Sequence, residues 1–191
     1  MAVRPLPPGR AADADRAVVK PTHPVVPPLY SALTAAIVMA AIGALAMMLR
    51  QPLLFPSLGP TIFIQAVTPD QPAGRPWNTL AGHAVGIAAA FAALALFSAF
   101  GDPPALSTGA LTSGRMLATA LAVGLTVAGQ LAIRAQHPPA AATTMLLTLG
   151  GMTATGSTVL AVAAGVVLVT ALGEITRRFA SGAGPDPTGS P

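Results

Sequence analysis

LYSALTAAIVMAAIGALAMML, residues 29–49, carries no charged side chain and stops at Arg50. About 20 consecutive apolar residues suffice to cross the hydrocarbon core of a bilayer, so this run alone predicts a transmembrane helix. Three further stretches read the same way. Asn78–Phe100 contains one ionisable group, His83; Met116–Ile133 is apolar apart from Thr119, Thr126 and Gln130; Ser157–Thr176 is apolar until Glu174. The runs are continuous rather than alternating, which excludes a transmembrane β-barrel.

Composition agrees. Hydrophobic residues make up 53% of the 191-residue chain and charged residues 8%, against about 25% charged in soluble domains. The middle of the chain cannot supply the polar outer face that a soluble helix needs. Four basic residues, Arg4, Arg10, Arg16 and Lys20, crowd the first twenty positions, and no cluster of basic and aromatic residues suggests nucleic acid. Cysteine is absent, which removes disulfides and thiolate metal sites. Residues 1–28 read as a disordered, proline-rich cytoplasmic tail, residues 29–178 as the membrane domain and residues 179–191 as a disordered C-terminal tail.

Small residues recur at four-residue spacing, Ala32, Ala36, Ala40 and Ala44 in the first span and Gly82, Gly86 and Ala90 in the second. Such stripes let helices approach closely in lipid. Two more segments are apolar but interrupted: PLLFPSLGPTIFIQAVT at 52–68, and HPPAAATTMLLTLGG at 137–151. Each follows a span that ends in arginine, Arg50 or Arg134. Each also places a proline five residues before a threonine, Pro56 with Thr61 and Pro138 with Thr143. Non-helical backbone survives at membrane depth only when buried in protein or lining a wet cavity, and paired interruptions point to a transporter's binding site. The expected fold is an all-α membrane protein of four transmembrane helices plus two re-entrant or broken half-helices, with a weak internal two-fold repeat.

Charge placement gives the orientation. If the interrupted segments dip in and return, seven basic residues lie inside and Arg50, Arg75 and Arg134 outside. If they cross, Arg75 and Arg134 move inside and Arg115 outside, giving eight against two. Both versions predict a multi-pass protein of the cell membrane with a cytoplasmic N-terminus.

His137-Pro138-Pro139, FPSLGPT at 55–61, RPWNTLAGH at 75–83 and HPPAAATTM at 137–145 stand in this order along the membrane domain. Together they resemble the HPP family, small integral membrane proteins named for the tripeptide and usually described as having four transmembrane helices. Pro60 and Ala141 depart from the family pattern. Some members in chloroplasts and cyanobacteria are described as nitrite transporters. The resemblance therefore implies a membrane transporter, with a small inorganic anion as the leading substrate and no cofactor.

The residues themselves fit an anion. Pro138 and Pro139 suit the first turn of a half-helix, whose N-terminal N–H groups and dipole favour negative charge. Ser57, Thr61, Thr143 and Thr144 offer hydroxyls, Gly59 allows close backbone approach, and Arg50 and Arg134 place cations at two mouths, either for the anion or as interfacial snorkels. His83, read as one turn into its span, and His137 are ionisable groups at membrane depth. Each either donates to an anion and relays a proton, or braces the fold as a neutral ring. Their convergence predicts one pocket holding Ser57, Gly59, Thr61, His137 and Thr143 with His83 nearby. An enzyme is not expected, since paired acids, HExxH and GxSxG are all missing. The alternative is a non-transporting structural or regulatory membrane subunit. A bundle this small also leaves room for a homo-oligomer.

Overall fold

The computed structural model describes residues 26–182, with side chains through Phe179; most of both expected tails lies outside the described residues. The helices are α1 (Pro28–Leu49), α2 (Leu58–Val67), α3 (Pro76–Leu96), the short α4 (Ala105–Thr108), α5 (Ser113–Ala132), α6 (Pro139–Thr148) and α7 (Gly156–Gly182). Short 3-10 turns occupy Pro72–Gly74 and Ala99–Gly101, and no strand occurs among the described residues. Four helices, α1, α3, α5 and α7, are long and apolar enough to span a membrane. Proline opens α1, α3 and α6, where its missing N–H costs nothing. Because α3 starts at Pro76, His83 sits two turns inside it rather than one. Helix α7 continues through Gly182, into the stretch read as the C-terminal tail.

Long-range hydrogen bonds fix the path of the chain. At the face where α1 begins, the Tyr30 hydroxyl donates to Thr176 O near the end of α7 (3.0 Å) and Ser31 Oγ to Ala66 O at the end of α2 (2.9 Å). At the opposite face, Arg115 at the start of α5 donates to Thr148 O at the end of α6 (2.6 Å), and Ala105 N–H to Leu149 O (2.9 Å). Thus α2 returns the chain to the first face after α1 has left it, and α6 takes it to the second face after α5 has reached the first. A ten-residue helix covers about 15 Å, roughly half of the hydrocarbon core; the extended stretch before it supplies the rest. The interrupted segments are therefore broken crossings, not re-entrant loops, and the chain traverses the layer six times.

The weak repeat becomes clear in the backbone. Arg50 and Arg134 both adopt left-handed φ, 51° and 53°. In both, the arginine N–H bonds the carbonyl three residues back (Met47, Leu131), and the next N–H bonds the one five back (Ala46, Gln130). This is the same helix-ending motif twice. One unit, α1–α3, starts on the first face, and the other, α5–α7, starts on the second. The two form an inverted repeat about an axis in the membrane plane. Half-helix α2 packs on α1 and α7, α6 packs on α5 and α3, and α3 packs on α7. Each unit's last helix thus carries the other unit's half-helix.

Packing differs between the halves. Val38, Ile42, Leu53, Phe55, Leu58, Ile62, Val162, Val166 and Val169 fill the space among α1, α2 and α7. The other half uses small residues: Ala93, Leu94, Ala99, Ala118 and Ala122. Glycine is required where α3 meets the second broken segment. A Cβ on Gly82 would lie 2.7 Å from His137 Cβ, and one on Gly86 2.7 Å from Thr144 Oγ1 and 3.0 Å from Ala140 O. The Gly82-Gly86-Ala90 stripe therefore does the close packing expected of it. The Ala32-Ala36-Ala40-Ala44 stripe does not, being exposed. Helix α1 instead buries Ser31, Thr34, Val38 and Ile42, since the larger side chains fill the gap beside Leu53 and Phe55.

Candidate functional site

The two half-helices begin at mid-depth and meet there. Ser57 precedes α2, and its Oγ lies 2.6 Å from Thr143 Oγ1 on α6. Thr61 Oγ1, one turn into α2, donates to Ser57 O (2.9 Å) and lies 3.1 Å from His137 Nε2 and 3.4 Å from His83 Nε2. His83 Nδ1 is 2.9 Å from Thr143 Oγ1. The two imidazole centroids are 5.0 Å apart. Ser57, Thr61 and Thr143 are fully buried, as are both histidines to within 1%. Five side chains from α2, α3, α6 and the segment before α6 thus form one closed hydrogen-bonded cluster.

Local chemistry explains why the chain can be broken here. His137 N–H donates to Gln130 Oε1 (2.7 Å), so α5 caps the turn that its own end releases. His137 Nδ1–H donates to Ala73 O (2.7 Å) in the turn before α3, and Asn78 Nδ2 donates to Gln136 O (3.1 Å). These bonds satisfy backbone that lipid would leave bare. At the far end, the buried Arg115 guanidinium donates to Thr148 O at the end of α6 and to Pro103 O (2.8 Å) and Asp102 O (2.7 Å) in the loop before α4, tying the two together. The Asp102 carboxylate accepts the Thr112 hydroxyl instead.

The expected residues divide. Ser57, Thr61, His83, His137 and Thr143 converge on one point as predicted, with Pro138 and Pro139 starting α6 beside them. Thr144 belongs to a neighbouring joint: its hydroxyl meets Thr126 Oγ1 (2.9 Å), Gly86 O (3.2 Å) and Ala140 O (3.1 Å), tying α6 to α5 and α3. A Cβ on Gly59 would meet nothing within 4 Å, so no protein backbone approaches it closely. Arg134 is exposed at the first face and forms the left-handed end of α5. The N–H groups that open the half-helices are not directed at the cluster. Leu58 and Gly59 donate to Phe55 O and Pro56 O, and Ala140 and Ala141 to His137 O and Pro138 O. Tight turns ahead of each helix consume them, leaving the dipoles as the backbone's contribution. Gln130, Asn78 and the Ala73 carbonyl were missed as supports. Gln130 did carry a signal, being the one amide in its span.

Charge surrounds the cluster only at a distance. Among the described residues the acids are Asp70, Asp102 and Glu174. Glu174 pairs with Arg177 (2.7 Å) and Arg178 (2.9 Å) at the first face. Among the described residues no carboxylate touches the imidazoles. A dimple on the first face, too tight to admit water, is lined by Gln65, Gly74, Pro76, Gly173, Glu174 and Arg177. A groove of about 400 Å³ on the second is lined by Phe55, Pro56, Leu106, Leu146, Gly150 and Met152, among others. Gln65 is one turn from Thr61, and Pro56 adjoins Ser57, so the cluster lies between the closed dimple and the open groove.

The transmembrane-region model of the HPP family matches residues 20–184, which takes in every helix described above. The chain belongs to the HPP family. No curated protein and no solved structure matches it. In this HPP protein the defining tripeptide has a physical reading. His137 supplies a ring to the central cluster, while Pro138 and Pro139, lacking N–H groups, let the chain turn into α6 without leaving donors bare in lipid.

Proposed function

We propose that this HPP protein transports a small inorganic anion, nitrite first among the candidates, through the central cluster. The observation that carries the reading is the head-to-head meeting of two half-helix N-termini on buried hydroxyls and imidazoles. Both dipoles present their positive ends there, and among the described residues no acid opposes an anion. The hydroxyls and rings satisfy one another, which makes a closed polar centre tolerable in lipid. An arriving anion exchanges those mutual bonds for bonds to itself, since a hydroxyl turns at little cost. The groove on the second face, which reaches Pro56 beside Ser57, fits access to the site from that side.

The test is flux. Purified protein in liposomes should take up nitrite or another small anion from a panel above the rate of protein-free vesicles. Uptake indistinguishable from empty vesicles for the whole panel would instead favour a structural or regulatory subunit.

The face holding the start of α1 is proposed to be cytoplasmic. Among the described residues, six crossings put Arg75, Arg134, Arg177 and Arg178 on that side and Arg50 and Arg115 on the other, and the four basic residues of the first twenty precede α1 in sequence. The chain has no cysteine, so single cysteines report position directly. Thr68→Cys and Gln136→Cys should react with an impermeant thiol reagent only from inside, and Gln51→Cys and Ser107→Cys only from outside. Outside labelling of both Thr68→Cys and Gln51→Cys, together with inside labelling of Ser107→Cys, would restore the re-entrant topology.

A further inference from the structure

Among the described residues, two buried side-chain atoms have no hydrogen-bond partner, Gln65 Oε1 and Thr79 Oγ1. Gln65 is 6% exposed and Thr79 0%, and folded proteins seldom keep such costly orphans without a use. Thr79 has an ordinary remedy at hand. Thr61, Thr126, Thr144, Thr148 and Thr170 each donate to the carbonyl four residues back; the Thr79 hydroxyl does not.

The two orphans belong to one place. Gln65 follows Thr61 by one turn of α2, toward the first face, and Thr79 precedes His83 by one turn of α3, also toward the first face. Pro76, Thr79 and His83, at i, i+3 and i+7, share one side of α3. At the deep end of that stripe His83 meets Thr61 (3.4 Å); at the shallow end Pro76 and Gln65 line the same dimple. Thr79 is therefore held between these two meetings, opposite the turn that joins Thr61 to Gln65. Gly173 on α7 forms the third wall. A Cβ there would overlap Gln65 Oε1, so glycine lets the amide rest against the α7 backbone and close the dimple. Outside it, Glu174 is paired with both Arg177 and Arg178, which leaves the mouth net positive.

We infer that Thr79 and Gln65 form a second anion subsite, that the path from the central cluster reaches the first face there, between α2, α3 and α7, and that the Gln65 amide is the plug closing it. Turning the amide about its last torsion exchanges its oxygen for two N–H donors. One movement off Gly173 thus opens the dimple and offers those donors to an anion, and the Thr79 hydroxyl adds a third. The closed state bears the cost of both orphans and opening relieves it, which keeps the plug from locking shut.

This rests on the transport reading, and two arms tell its failure from that of transport. In the first, Thr79→Cys is made in the full-length protein, where no other thiol competes. Its reaction with a small anionic methanethiosulfonate is timed in right-side-out and inside-out vesicles. It should react only from the side that labels Thr68→Cys, about tenfold faster when Gln65→Ala is added, and more slowly in nitrite. Equal rates with and without Gln65→Ala, or reaction only from the side that labels Gln51→Cys, would overturn the path whether or not the protein transports. Rates that no anion of the panel slows would overturn the subsite. In the second arm, Gln65→Leu and Thr79→Val remove the orphans, so each should melt no lower than the parent. Nitrite uptake should nevertheless fall about tenfold, roughly 1.4 kcal/mol. Lower melting with unchanged uptake would make both residues structural and sink the subsite while leaving transport standing. A parent protein that takes up no anion would sink transport, and the thiol rates would still decide whether the path opens at Gln65.

Discussion

Replacing His137 with alanine is expected to reduce anion uptake about ten- to a hundredfold while the protein still inserts and folds. The magnitude follows from one lost hydrogen bond to a charged solute, about 1.5–3 kcal/mol, at roughly tenfold per 1.4 kcal/mol. Folding should survive because the supports of this turn are mostly backbone. The His137 N–H keeps Gln130 Oε1, Asn78 keeps Gln136 O, and Thr61 keeps Ser57 O. Thr61 Oγ1 loses its contact with His137 Nε2 but keeps His83 Nε2, and Ala73 O, in the turn ahead of α3 at the first face, loses the ring N–H. The check is uptake per inserted protein, measured beside a thermal stability curve. Uptake at the parent rate would remove His137 from the transport path and leave it a brace. A protein that fails to accumulate would show instead that the ring holds the break in the chain together.

Much of this architecture was legible before any coordinates. Four long apolar runs admit no other environment, and prolines at 56, 60, 138 and 139 forbid plain helices between them. Ser57, Thr61, His83, His137 and Thr143 were legible as a set because polar groups are costly at membrane depth and must find one another. The number of crossings was not legible. It turns on Arg75, Arg115 and Arg134, and the positive-inside rule separates seven against three from eight against two only weakly. What decides it is long-range: Ser31 reaching Ala66 O and Arg115 reaching Thr148 O. Spacing could not have paired those residues, since each bond joins the start of one helix to the end of another.

Two further misreadings share a cause. The alanine stripe of α1 and the glycine stripe of α3 have the same period, yet one is exposed and the other meets His137 and Thr144. Periodicity marks a face without saying what lies opposite. Likewise, Pro138 and Pro139 correctly marked a helix start, but the following N–H groups were taken as open to an anion. The carbonyls of His137 and Pro138 lie close enough to occupy them. The anion site is thereby reduced to side chains and dipoles, which is why His137 carries so much of the expected effect.

The central claim is that the two broken crossings meet head-to-head at one shared site, and a single disulfide tests it. Ser57 and Thr143 are 86 residues apart in sequence, yet their hydroxyl oxygens are 2.6 Å apart. Cysteines at both positions place sulfurs near the separation a disulfide needs, with Cβ atoms about 3.5–4.5 Å apart. The parent chain offers no competing thiol. Ser57→Cys/Thr143→Cys should cross-link under mild oxidation, identified by mass spectrometry of the joined peptides. Uptake should then stop, and reduction should restore it to the level of the single variants. Ser57→Cys paired with Thr126→Cys, whose hydroxyl meets Thr144 instead, should not link. Failure of the 57–143 pair to form while both thiols react freely from opposite faces would contradict the shared site, and with it the proposed anion path.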